Sequence, residues 1–160
     1  MITGRHYQNA YVTRNVDKAV AEFKERADIR TLYEIEVPVQ VWTPKGEGTG
    51  VQKLAFVWVE DLNYELIEPK EGDVLAIYRD ALPADDSLQF HHVCHVVDDW
   101  DALWAKVQAS PYEVVLKGGT PGMLQFCYTD TRAWLGHYTE YVWMVPERWA
   151  ALGGRTGGVR

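Results

Sequence analysis

The spacing of apolar and polar positions changes period several times along this chain, and the order of those changes is its first structural signal. Residues 6–13, HYQNAYVT, are rich in aromatic and β-branched side chains and predict a strand. From Val16 the period becomes helical. Val16, Ala19, Val20 and Phe23 fall on one side and Asp17, Lys18, Glu22, Lys24 and Glu25 on the other, with Asn15 placed to cap, so a helix is predicted over 16–27. Strands are then predicted over 32–42, 51–60 and 62–68. Pro38 marks the first of them as an edge or a bulge, and the Gly-rich stretch 43–50 reads as a loop. The first half is therefore β-α-β-β-β.

A connector with a short helical pattern around Val74, Leu75, Ile77, Tyr78 and Leu82 leads to a second copy of the same order. Residues 90–97, FHHVCHVV, predict a buried strand, and Asp98-Asp99 predict the cap of a helix over 100–109. Further strands are predicted over 113–117, 123–129 and 137–144, followed by an amphipathic piece at 146–152 and a Gly-rich tail, 153–160, expected to be mobile. On a regular strand, His92 shares a face with Phe90, Cys94 and Val96. His91 and His95 then point the other way.

The repeat can be put in register. Asn15 and Asp99 align at the two helix starts, and seven residues upstream of them stand Gln8 and His92. The last strands align Asn63-Tyr64-Glu65-Leu66-Ile67 with Tyr138-Thr139-Glu140-Tyr141-Val142, which places Glu65 opposite Glu140. The predicted fold is α+β: two tandem βαβββ modules forming an open, cupped β-sheet of two half-barrels, with the helices outside. Its parts are a first module over 1–70, a connector over 71–89, a second module over 90–145 and a C-terminal helix with tail over 146–160, one structural domain in all. A pseudo-two-fold between the modules would gather Gln8, Glu65, His92 and Glu140 at a shared centre. Singly, each would pass for an ordinary strand residue. Their placement at repeat-equivalent positions is what points to a metal site.

Composition narrows the function. The chain has 160 residues, 47% of them hydrophobic, enough for one packed domain. Its formal charge of −7 and lack of a basic stripe argue against a nucleic-acid partner. No apolar run is long enough to span a bilayer and no N-terminal signal pattern is visible, so no membrane partner is expected and the cytoplasm is the expected compartment. Cys94 and Cys127 form no CxxC pair and read as reduced, buried thiols. Seven tryptophans and nine tyrosines suit a large core or an apolar pocket, for which Trp42, Phe56, Trp58, Tyr128 and Trp143 are candidates.

The pattern resembles the vicinal oxygen chelate superfamily, which includes glyoxalase I, methylmalonyl-CoA epimerase, extradiol ring-cleaving dioxygenases, fosfomycin-resistance proteins and metal-free bleomycin-binding proteins. The resemblance covers residues 6–145 and is strongest over 8–19, 64–69, 90–101 and 136–142. In that family the first and last strands of each module supply metal ligands, and residue by residue these are Gln8, Glu65, His92 and Glu140. His6, two residues before Gln8, is a spare candidate. Glu65-Leu66-Ile67-Glu68-Pro69 and His91-His92-Val93-Cys94 are similar to epimerase segments. Residues 33–42 lack the Glu-Gln-Gly-Val type of segment associated with epimerases, leaving Glu34 or Glu36 as stand-ins for a second acid/base. No basic constellation matches one that would grip glutathione.

The resemblance implies a divalent cation, one of Ni, Co, Mn, Zn, Mg or Fe, suited to two carboxylates, an imidazole and an amide oxygen. A small-molecule substrate with vicinal oxygens would chelate it, and Glu140 or Glu65 would act as general base. The expected function is a metal-dependent isomerase, epimerase or lyase, assembled as a homodimer. Two alternatives stand beside it: a metal-free binding or resistance protein, and an Fe(II) ring-cleaving dioxygenase, which Gln8 in place of a histidine disfavours unless His6 takes over. His91, His95, His137 and Glu68 are expected on the opposite strand faces, under helices, in an interface or at the surface.

Overall fold

The computed structural model describes residues 2–155. Eight strands, β1 (Arg5–Val12), β2 (Thr31–Thr43), β3 (Gly46–Val59), β4 (Leu62–Glu71), β5 (Gln89–Val96), β6 (Val114–Thr120), β7 (Leu124–Thr129) and β8 (Tyr138–Met144), are accompanied by five helices: α1 (Val16–Arg26), α2 (Ala76–Arg79), α3 (Trp100–Gln108), α4 (Arg132–Leu135) and α5 (Pro146–Ala151). The strands form a closed barrel in the order β1-β4-β3-β2-β6-β7-β8-β5. The predicted open, cupped sheet is therefore wrong, although the content is α+β. Two seams close it. β1 runs antiparallel to β5 along its length, from Arg5↔Val96 to Val12↔Gln89, and β2 meets β6 at Val41↔Gly118 and Trp42↔Lys117. Each seam pairs backbone groups that an open sheet would leave at its edges. Pairing between distant edges has no local signature in sequence, which is why periodicity missed it.

Within each half, the first and last strands run parallel. Ala10 pairs with Glu65 and Cys94 with Glu140, so each glutamate lies beside the residue two positions after Gln8 or His92. The register of the repeat is thus a hydrogen-bonded register. The helices α1 and α3 cover the outside. Val16, Ala19 and Val20 pack on Ala55, Val57 and Leu66, while Leu103 and Val107 pack on Cys127 and Tyr141. Both begin at side-chain caps, Asn15 Oδ1 accepting from the Lys18 N–H at 3.0 Å and Asp99 Oδ1 from the Ala102 N–H at 2.9 Å. Both thiols are buried and unpaired.

The Gly-rich stretch expected to be a loop is mostly strand. β2 continues to Thr43 and β3 starts at Gly46, leaving a tight hairpin between them. Its glycines answer to packing: a Cβ on Gly48 would stand 2.6 Å from a Val74 methyl, and one on Gly50 2.5 Å from Leu75 Cγ. The 3₁₀ turn Asp73–Leu75 of the connector needs those bare positions to lie down on β3. At the other end, Trp149 of α5 sits edge-on to Tyr7 and Trp58, with ring centroids at 5.0 and 5.6 Å. The start of the tail, expected to be mobile, is held: Arg30 donates to the Gly153 carbonyl at 2.8 Å and Trp149 Nε1 to that of Arg155 at 2.9 Å. Residues 156–160 lie outside the described residues. Among the described residues, no helix is long and apolar enough to cross a membrane.

Candidate metal centre

β4, β5 and β8 deliver Glu65, His92 and Glu140 to one point inside the barrel. One ligand atom from each lies within 4.8 Å of the others. His92 is fully buried, and each glutamate retains 8% of its surface. His92 Nε2 stands 3.1 Å from Glu140 Oε2 and 3.4 Å from Glu65 Oε2. Burial alone would lower the basicity of this imidazole, but its contacts to Glu140 and Glu65 outweigh that and raise its pKa to about 9. Burial, opposed by His92 and reinforced by Glu140, raises that of Glu65. Gln8, on β1, is buried and lines the same cavity. Its amide nitrogen donates to Asn63 Oδ1 at 3.0 Å, leaving the amide oxygen as its donor atom for a cation. All four residues come from one chain.

Two bulges shape this centre. In the β1–β5 ladder, Ala10↔His92 is followed by Tyr11↔Phe90, and His6↔His95 by Gln8↔Cys94, so His91 and Tyr7 are each an extra residue in their strands. Strict alternation fails there. His91 turns in beside His92, and Phe90, predicted to share the face of His92, is instead 38% exposed. Tyr7 is buried, whereas His6 is exposed with Nε2 2.8 Å from Asn9 Oδ1. The spare ligand is therefore outside, and His91 is not on the opposite face. Of the other residues expected there, His95 lies against His6 and Tyr141. His137 bonds through Nδ1 to the Tyr138 carbonyl at 2.7 Å, and Glu68 accepts from the Val16 N–H at the start of α1 at 3.0 Å.

The bulged histidine sets the tautomer of its neighbour. His91 Nε2 lies 3.1 Å from the carbonyl of Ile77, which can only accept, so Nε2 carries the proton. Burial, with His92 adding to it, lowers His91 to about 3 and keeps it neutral. Its bare Nδ1 then accepts from His92 Nδ1 at 2.9 Å. This leaves His92 Nε2 as the nitrogen for a cation, the outer-partner arrangement usual for a ligating histidine. Two carboxylates, an oriented imidazole and an amide oxygen, buried together, fit a divalent cation.

Above the centre opens a cavity of about 550 Å³. Its walls include Ile35, Val37, Val39, Leu54, Phe56 and Phe126, and among the described residues Arg148 is the one cation lining it. Glu34 and Glu36 are exposed on the outer face of β2 and supply no second acid/base inside. Phe56 and Tyr128 line the cavity as expected for pocket aromatics. Trp58 instead packs in the core with Tyr7 and Trp149, Trp42 lies under Lys117 in a separate outer groove, and Trp143 packs with the cluster under α3. Sequence reasoning missed Tyr7, Tyr78 and His91, whose roles depend on bulges and on where the connector docks.

The model of the Glyoxalase/Bleomycin resistance protein/Dioxygenase superfamily matches residues 7–128. The chain belongs to this superfamily. No match was found among curated proteins. Solved structures similar to this member of the superfamily include methylmalonyl-CoA epimerase from Mycobacterium tuberculosis, 14% identical, covering 94% of this chain and 97% of that one with a TM-score of 0.60. A Streptomyces coelicolor methylmalonyl-CoA epimerase in complex with 2-nitronate-propionyl-CoA is 15% identical, with coverage of 91% and 97% and a TM-score of 0.62. A hypothetical protein from Bacillus halodurans C-125 is 11% identical, with coverage of 90% and 96% and a TM-score of 0.60. At these identities the likeness is one of fold.

Proposed function

We propose that this protein is a metal-dependent isomerase, epimerase or lyase that moves a proton beside a carbonyl group. The observation that carries this reading is the Glu65–His92–Glu140 cluster at the base of a largely apolar cavity. With Gln8, these residues would hold the divalent cation. Bound there, it would act as a Lewis acid toward a substrate presenting two adjacent oxygens. Glu65 or Glu140 takes the proton from the neighbouring carbon as the C–H electron pair moves onto the carbonyl oxygen, forming an enolate. For an isomerisation the same carboxyl group delivers the proton to the adjacent carbon of the enediolate; for an epimerisation the other of the two glutamates would deliver it to the opposite face, since β2 offers no carboxylate there.

The Streptomyces coelicolor epimerase holds 2-nitronate-propionyl-CoA, so acyl-CoA thioesters, with α-hydroxyketones beside them, are the first substrates to test. Metal-loaded protein in D₂O should drive deuterium into the proton-bearing carbon at least about 100-fold faster than chelator-treated protein or Glu140→Gln, as read by NMR. Equal rates in all three for both substrate classes would refute the proton-transfer reading. A metal-free binding protein is the second reading, favoured by the largely apolar walls of the cavity, which would suit sequestering an apolar ligand. It predicts no uptake of metal on titration. The dioxygenase alternative needs a second imidazole, and His6 is outside the barrel.

A further inference from the structure

Tyr78 and Tyr128 stand beside the centre as a bonded pair. Tyr78 comes from α2 in the connector and Tyr128 from β7, and both line the cavity with Glu65 and Glu140. They are buried to 4% and 3% exposure. Tyr78 donates to the Tyr128 hydroxyl at 3.0 Å, and the Tyr128 oxygen lies 3.3 Å from His92 Nε2. That nitrogen is thus approached by three oxygens, from Glu140, Glu65 and Tyr128. It can bond only one of them well. Two buried phenols are costly unless their hydroxyls are satisfied, and phenylalanine would pack in their place without that cost.

We propose that Tyr128, held by Tyr78, is a catalytic residue that donates a hydrogen bond to the substrate oxygen on which negative charge develops. This rests on the proposed proton transfer at the same site. When His92 Nε2 is committed to a cation it offers Tyr128 neither a proton nor a lone pair. Tyr128 keeps its bond from Tyr78 as an acceptor, so its own proton needs a new acceptor at that spot. An oxygen of a substrate chelated beside Nε2 is the acceptor the geometry supplies. The pair works on the oxygen while the glutamates work on the carbon-bound proton.

Acetohydroxamate, a planar anion that chelates through two oxygens, can probe this without a known substrate. Wild type, Tyr128→Phe and Tyr78→Phe would be loaded with cobalt(II) and titrated with it while the visible cobalt bands are followed. All three should bind cobalt within about 3-fold of one another. Tyr128→Phe should bind acetohydroxamate at least about 10-fold more weakly, the loss expected for a hydrogen bond to a charged group, and Tyr78→Phe about 3-fold more weakly. Equal acetohydroxamate affinity in wild type and Tyr128→Phe, or no binding by wild type, overturns the proposal and leaves the metal reading standing. A drop of more than 10-fold in the cobalt affinity of Tyr128→Phe also overturns it, because the hydroxyl would then be supporting His92. If wild type fails to bind cobalt, the metal reading falls and this proposal with it.

Discussion

His92 Nε2 is the atom on which the centre converges, and its proton is the resident that a cation must displace. In chelator-treated protein this has a measurable consequence. The folded imidazole titrates at about 9 against an ordinary value of 6.5, so its protonation favours the folded state. That contribution is complete below about 6.5 and is lost as pH rises through about 9. The melting temperature of the chelator-treated protein should therefore fall between pH 6.5 and 9, and His92→Gln should flatten this slope. A wild-type slope no steeper than that of His92→Gln would show that the carboxylates do not hold the proton. At this scale the sequence was informative where the repeat spoke: register put Gln8, Glu65, His92 and Glu140 at equivalent positions, and the structure brings the last three together with Gln8 lining the same cavity. His91 and His6 were misplaced because a bulge inserts one residue and reverses the faces of what precedes it.

Elements that looked like connections in sequence turn out to support the site. The connector brings Tyr78 to Tyr128 and the Ile77 carbonyl to His91, and its seat on β3 depends on Gly48 and Gly50 having no side chains. Glycines that signal loops by composition here mark strands lying under another segment, and only the packed structure separates the two. At the opposite end, α5 plugs the barrel with Trp149 against Tyr7 and Trp58. Removing that indole in Trp149→Ala should cost about 3–5 kcal/mol in urea unfolding, as for other large buried aromatics. A loss under about 1 kcal/mol would mean that α5 is not part of the cooperative fold.

Across the whole molecule, alternating helical and strand periods revealed two βαβββ orders but left open how the halves meet. The barrel closes through β1–β5 and β2–β6, pairings between edges far apart in sequence. Closure also places the four candidate residues around one interior. The most direct test is a calorimetric titration of chelator-treated protein with cobalt(II), comparing wild type, His92→Ala and His95→Ala. One cobalt per chain is expected for wild type, an affinity within about 3-fold for His95→Ala, and a loss of about 100-fold or more for His92→Ala. Binding that survives in His92→Ala, or is absent from wild type, would contradict a metal centre built on Glu65, His92 and Glu140.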